Sequence, residues 1–143
     1  MNECKRINLL MCEVDRVFHD AAQALGLPDS VMQILYTICN LGSPCPIGDI
    51  IRTTGISKQT INSSLRKLEA GGYIYLQAAD GKKKLVCLTE SGKALTRSTA
   101  GRIMDLENQI YASWTKEELE QYLDLTQRYL TALKTMTKEL SRE

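Results

Sequence analysis

"ISKQTINSSLRKLEAGGYI", residues 56–74, decides how the rest of the chain is read. At about 100° per residue, Ile61, Leu65 and Leu68 fall on one stripe, the spacing of a helix packed on a core. Gln59, Ser63 and Arg66 fall on the opposite stripe, with Asn62 beside them. Ser57 is a good N-cap because its hydroxyl can accept from a backbone N–H that has no partner in the first turn. Gly71 and Gly72 supply the permissive backbone that ends the helix, so it spans roughly residues 57–71, about four turns. A solvated helix face usually favours Glu and Lys, whereas this one opens with amides and hydroxyls that hydrogen-bond in two directions. Such groups can read base edges, and the alternative is an ordinary solvated face. The rest of the chain has to decide between them.

The 143 residues fit one domain, residues 1–143, long enough to bury a sizeable core without staples. With 43% hydrophobic and 24% charged residues, the composition is that of a globular protein. No apolar run has the length of a membrane span, and residues 1–10 lack the apolar stretch and cleavage site of a signal peptide, so a cytoplasmic protein with no membrane partner is expected. The net charge of +1 is uninformative, but its distribution is not. Residues 52–84 carry seven basic and two acidic side chains, against three and six in residues 1–51 and eight and nine in residues 85–143. Positive charge concentrated on the segment quoted above is the footprint of a phosphate-binding surface.

The five cysteines, Cys4, Cys12, Cys39, Cys45 and Cys87, form no C-x-x-C pair, and their odd number completes no disulfide framework. Reduced thiols fit best. Cys39 and Cys87 lie in apolar runs and read as small core residues. His19 has no second imidazole or thiolate at ligand spacing, so it reads as a structural histidine, with no metal and no cofactor expected.

Outward from the opening stretch, the pattern is mostly helical. Ile7, Leu10, Met11, Val14, Val17, Phe18 and Ala21 trace a first helix that Gly26 ends. Pro28 and Asp29 open a second, whose "VMQILYTICNL" is apolar enough for a central buried helix. After a turn holding Pro44 and Pro46, a short third helix directs Ile47, Ile50 and Ile51 inward and stops at Thr54 and Gly55. A short helix, a break at Gly55 and then the polar-faced helix make a helix-turn-helix. "YIYLQ" and "KLVCL" follow as two strands, joined by a turn with Asp80 and Gly81 and a run of Lys82, Lys83 and Lys84. Thr89 caps a helix to about Ala112, and "TKEE" at residues 115–118 is a capping box for a last helix. There Leu119, Tyr122, Leu123, Tyr129, Leu130, Leu133, Met136 and Leu140 recur at steps of three and four, a stripe longer than a small core must cover. An oligomer interface is one use of it; packing back onto the first helix of the same chain is the other.

The segments "LPDSVMQIL", "GISKQTINSSLRKLEAGGYI" and "DGKKKLVCLTESG", followed by two long helices, resemble the MarR family of winged-helix transcriptional regulators over essentially the whole chain. The most specific positions are Ser57, Thr60, Leu65, Leu68, Glu69, Gly72, Tyr73 and Ile74, then Leu88, Thr89, Glu90 and Gly92. The resemblance implies a mainly α fold with a small β-hairpin wing. A winged helix-turn-helix lobe would span residues 28–89, and residues 1–27 and 90–143 would form the helical dimerisation region. It further implies a homodimer on a pseudo-palindromic operator in double-stranded DNA, acting as a repressor released by a small aromatic or phenolic effector or by cysteine oxidation. Ser57, Lys58, Gln59, Thr60, Asn62, Ser63 and Arg66 would then lie at the major groove, and the wing with Lys82, Lys83 and Lys84 would reach towards the adjacent minor groove. The wing is shorter than is common in the family and carries lysines for arginines. Lysine is a hydrated point charge, suited to phosphate more than to a narrow minor groove. In the peroxide-sensing branch a reactive cysteine lies in the first helix, where this chain has Cys12; apolar and acidic neighbours there favour an inert thiol packed in the core.

The competing classes are a thiol-based redox regulator and a winged helix that binds a partner protein. An enzyme is not expected: the sequence has no Gly-rich phosphate loop with its Lys, no H-E-x-x-H and no nucleophile elbow.

Overall fold

The computed structural model describes residues 2–81 and 83–142. Two compact units divide the chain, residues 1–104 and residues 105–143.

The first unit begins with α1 (Glu3–Ala24), whose N-cap Asn2 accepts a hydrogen bond from the Lys5 amide at 2.9 Å. Next comes α2 (Asp29–Leu41), which buries Val31, Met32, Ile34, Leu35, Thr37 and Ile38 and is the central helix that its apolar run predicts. Then β1 (Cys45–Pro46), α3 (Ile47–Thr54) and α4 (Lys58–Ala70) lead into a hairpin of β2 (Ile74–Ala78) and β3 (Lys84–Leu88). The three strands make an antiparallel sheet in the order β1-β3-β2. Ile74 pairs with Leu88 and Ala78 with Lys84, so one face of the hairpin buries Ile74 and Val86 while Tyr75 points to solvent. The two-residue strand β1, which the sequence reads as a turn, pairs Cys45 with Val86 and Pro46 with Leu85. Pro46 is tolerated there because an edge strand can spare an N–H.

Ile34, Leu35, Ile50, Ile61 and Val86 are fully buried at the centre of this lobe. Each contributes about 1.5–3 kcal/mol by leaving water, so α2, α3, α4 and the sheet are held as one body.

Thr89 caps the next helix as expected, its hydroxyl accepting from the Gly92 amide at 3.0 Å. That helix does not run to Ala112. It breaks at Thr99 into α5 (Glu90–Ser98) and α6 (Ala100–Ala112). The side chains of Thr96 and Thr99 bond back to the carbonyls of Gly92 and Leu95, each at 2.7 Å. Such back-bonding competes with the helical ladder, and apolar periodicity does not register it.

The second unit holds the end of α6 and α7 (Lys116–Thr137), followed by a tighter helical turn at Lys138–Arg142. The capping box is present: Thr115 Oγ1 accepts from the Glu118 amide at 3.1 Å, and Glu118 Oε1 accepts from the Thr115 amide at 2.8 Å. Hydrogen bonding from the Thr115 amide, and from the Thr115 side chain, holds the Glu118 carboxyl below the usual carboxylate range. Tyr111 packs edge to face on both Trp114 and Tyr122 where α6 turns into α7, and those two rings are tilted at 43° to each other. No residue of α7 is buried, and Tyr122, Leu123, Tyr129, Leu130, Leu133, Met136 and Leu140 are all exposed. Among the described residues no helix is long and apolar enough to cross a membrane.

Candidate nucleic-acid interface

The geometry starts at the turn between α3 and α4. Gly55 closes α3 in the left-handed region at φ 68°, which a residue with a Cβ adopts only under strain. Thr54 donates to the Ile50 carbonyl at 2.8 Å and accepts from the Ile56 amide at 3.2 Å, so the turn is pinned from both sides. Ser57 then caps α4, accepting from the Thr60 amide at 3.2 Å and donating to the Thr60 hydroxyl at 2.9 Å. The cap leaves the remaining first-turn N–H groups, with the positive end of the helix dipole, at the surface.

The apolar stripe of α4 is buried as its spacing predicts: Ile61, Leu65 and Leu68 join the core. Ser64 is buried with them and shares a 2.7 Å hydrogen bond with the Ser30 hydroxyl in the first turn of α2. The sequence marks neither serine, because the two lie in separate segments and only the packing of α4 on α2 brings them together. On the opposite face Ser57, Lys58, Gln59, Thr60, Ser63 and Arg66 are exposed, and Asn62 is half-buried.

The wing is closed by a hydrogen bond from the Ala79 amide to the Lys83 carbonyl at 2.9 Å. Lys83 and Lys84 are exposed; Lys82, the third lysine expected on the wing, lies outside the described residues. Lys84 meets α4 across a cleft of about 240 Å³ that it borders together with Asn62, Leu65, Arg66, Glu69 and Leu76. The polar face of α4 and the base of the wing therefore form one surface.

Two charges modify that surface. Glu69 adds a carboxylate to the lining that holds Arg66 and Lys84. Arg52, counted above in the basic segment, is ion-paired with Asp49 one helical turn back. Its charge is thus partly spent inside α3, which a tally of basic residues does not reveal.

Away from this face, the thiols and the histidine sort by environment. Cys87 is buried and Cys39 half-buried, as their apolar runs predict, and Cys45 is buried as well, its thiol pushed above the usual range by burial and by Asp49. Cys12 is exposed on α1 and takes no part in the core, contrary to the expectation of inert packing. Among the described residues no cluster of His, Cys, Asp and Glu could hold a metal ion. His19 is half-exposed, with its Nδ1 on Asp29 Oδ2. It borders a cavity of about 480 Å³ between α1 and α2, with Ile103 of α6 at its base.

The model of the MarR family matches residues 25–84, from the end of α1 to the wing. A MarR family regulator from Neisseria meningitidis is 22% identical, with a TM-score of 0.77 over 97% of this chain and 99% of that one. MepR of Staphylococcus aureus in its DNA-binding conformation is 20% identical, with a TM-score of 0.73 over 93% of this chain and 99% of that one. The S. aureus MepR–DNA complex gives 19% identity and a TM-score of 0.68, with 93% and 98% covered. No curated protein sequence matches significantly. At these identities the likeness to solved structures is one of fold, and the family model marks the winged helix-turn-helix within that fold. Residues 25–84 thus match the MarR family model, and the chain as a whole has the fold of MarR family regulators.

Proposed function

We propose that the protein is a sequence-specific DNA-binding transcriptional repressor that works as a homodimer on a pseudo-palindromic operator and is released by a small-molecule effector. The observation that carries the reading is the single surface made by the exposed polar face of α4 and the base of the wing, with Lys84 bordering the same cleft as Asn62 and Arg66. Burial of Ile61, Leu65 and Leu68 fixes α4 on its lobe and leaves Gln59, Ser63 and Arg66 free to enter a major groove. Ser57, Lys58 and Thr60 stand at the helix N-terminus, where the dipole and free amides attract phosphate. Gln59 and Asn62 suit adenine and Arg66 suits guanine, each paired contact discriminating by roughly 1–3 kcal/mol. The likeness in fold to MepR in complex with DNA supports DNA as the partner.

Dimerisation is supported by apolar side chains that one chain leaves in water: Ile7, Leu10, Met11, Val14 and Val17 on α1, and the stripe from Tyr122 to Met136 on α7, continued by Leu140 in the turn that follows. Exposed apolar patches of this extent mark interaction surfaces. The test is a gel shift with the DNA flanking the protein's own gene, set against random DNA at fixed salt. Arg66→Ala should lose affinity for the operator by the larger factor if it reads a base, and by equal factors if it only holds phosphate. Unchanged operator affinity in Gln59→Ala, Asn62→Ala and Arg66→Ala alike would refute the reading of this face.

A further inference from the structure

Residues 52–84 hold only two acidic side chains among seven basic ones. Asp80 belongs to the turn of the wing. Glu69 is exposed on α4, one helical turn beyond Arg66 and within about 20° of Asn62 around the helix, and it lines the same cleft as Arg66 and Lys84. Nothing local favours a carboxylate there. Position 69 is in the last turn of α4, where the negative end of the helix dipole disfavours a further negative charge. Among the described residues no ion pair within 4 Å ties Glu69 to a cation, and Ile47, Leu65 and Leu76 in the lining offer it no side-chain donor. A residue set against the stability of its own helix is best sought a role in what the cleft admits.

Without Glu69 the cleft would suit phosphate. Arg66 and Lys84 border it with Asn62 as a neutral donor, a set of groups that holds a phosphate whatever the sequence around it. Such a clamp would strengthen binding to all DNA, since the non-specific mode is almost wholly phosphate contact. A carboxylate in the lining acts on the two modes unequally. It repels a phosphate, which carries a full charge, and has little effect on a guanine edge, whose acceptors are neutral. Discrimination is gained by repelling the wrong contact as well as by attracting the right one. We propose that Glu69 is a specificity-determining residue, whose carboxylate denies the cleft between α4 and the wing to phosphate and so leaves Arg66 for a base edge. The inference rests on the DNA-binding reading of this face, and the experiment separates the two.

Fluorescence anisotropy over a range of salt measures binding of the full-length protein to a short mixed-sequence duplex and to the DNA flanking its own gene. The variants are Glu69→Gln, Glu69→Asp, the pair Arg66→Ala with Lys84→Ala, and that pair combined with Glu69→Gln, each checked for folding by circular dichroism. Glu69→Gln should bind the mixed-sequence duplex about three- to fivefold tighter, the scale of one exposed charge contact, and the own-gene DNA by less than about twofold. Its log–log salt slope on the mixed-sequence duplex should steepen by roughly 0.9, the mark of one added phosphate contact. Glu69→Asp, which keeps the charge, should keep the wild-type ratio, and the gain should vanish where Arg66 and Lys84 are already Ala. Unchanged binding of the mixed-sequence duplex in Glu69→Gln, an equal gain on both duplexes, or a gain as large without the two cations overturns the proposal. Loss confined to the own-gene DNA also overturns it and makes Glu69 a base contact, an acceptor for cytosine. If wild type prefers the own-gene DNA and Glu69→Gln changes nothing, this inference fails and the regulator reading stands. If wild type binds neither duplex, the regulator reading fails and this inference with it.

Discussion

Gly92 occupies the first turn of α5, where that helix packs against Tyr73 just after α4. A Cβ at this position would stand 1.9 Å from the Tyr73 carbonyl oxygen and 2.9 Å from its carbon. Both are backbone atoms, so no rotamer change relieves the clash. The Tyr73 carbonyl accepts the Thr89 amide at 3.0 Å, and the Thr89 hydroxyl in turn donates to the Gly72 carbonyl at 2.7 Å. Gly92→Ala must therefore push α5 away from the hinge that sets the hairpin. Overpacking of this kind costs about 1–3 kcal/mol. Loss of one or two of the hydrogen bonds adds about 1 kcal/mol each. The helix propensity of alanine returns at most about 1 kcal/mol. The net expectation is a loss of about 2–4 kcal/mol, or roughly 10 °C in Tm for a chain of this size. Gly48→Ala is the control. Gly48 lies in α3 with nothing within 4 Å of its would-be Cβ, so the same substitution should be neutral or stabilise by up to about 1 kcal/mol. Thermal melts by circular dichroism, at one protein concentration so that any association is held fixed, give both values. A Gly92→Ala melt at or above the wild-type temperature refutes the close approach and the reason given for glycine there.

Replacing Leu130 and Leu133 of α7 with Glu should convert a dimer into single chains that no longer bind DNA, because their side chains, 42% and 43% exposed in one chain, would have to bury unpaired charge in the dimer. A wild-type sedimentation mass of one chain at micromolar concentration would sink the dimer, and with it the reading of the α7 stripe. Changing Lys83 and Lys84 to Ala should weaken all DNA sequences about equally and flatten the log–log salt slope by roughly 0.9 per lost phosphate contact. Loss confined to A·T-rich flanks would instead make the wing a minor-groove reader.

What could be read from the chain alone was whatever neighbours three or four residues apart determine. The stripe Ile61, Leu65, Leu68, the caps at Ser57, Thr89 and Thr115, the break at Gly55 and the two strands of the wing are all products of local periodicity and local hydrogen bonding, and all are present. The polar face of α4 was legible for the same reason, since fixing one stripe of a helix in the core turns the opposite one outward.

The folded chain decided what depends on segments far apart. Strand β1 exists only because Cys45 and Pro46 find an open edge at Val86 and Leu85. The helix after Thr89 breaks at Thr99, whose backbone leaves the helical region at φ −125° and ψ −93°, a change that apolar spacing does not encode. Ser64 is buried against expectation for a polar helix residue because Ser30, on another helix, satisfies its hydroxyl. Gly92 has a physical reason only once Tyr73 is placed against it, and Asp15, Phe18, Asp29 and Tyr36 become one cavity only when α1 packs on α2. Periodicity states which face of an element is turned inward; it does not state which other face it meets, and sites are made where two faces meet.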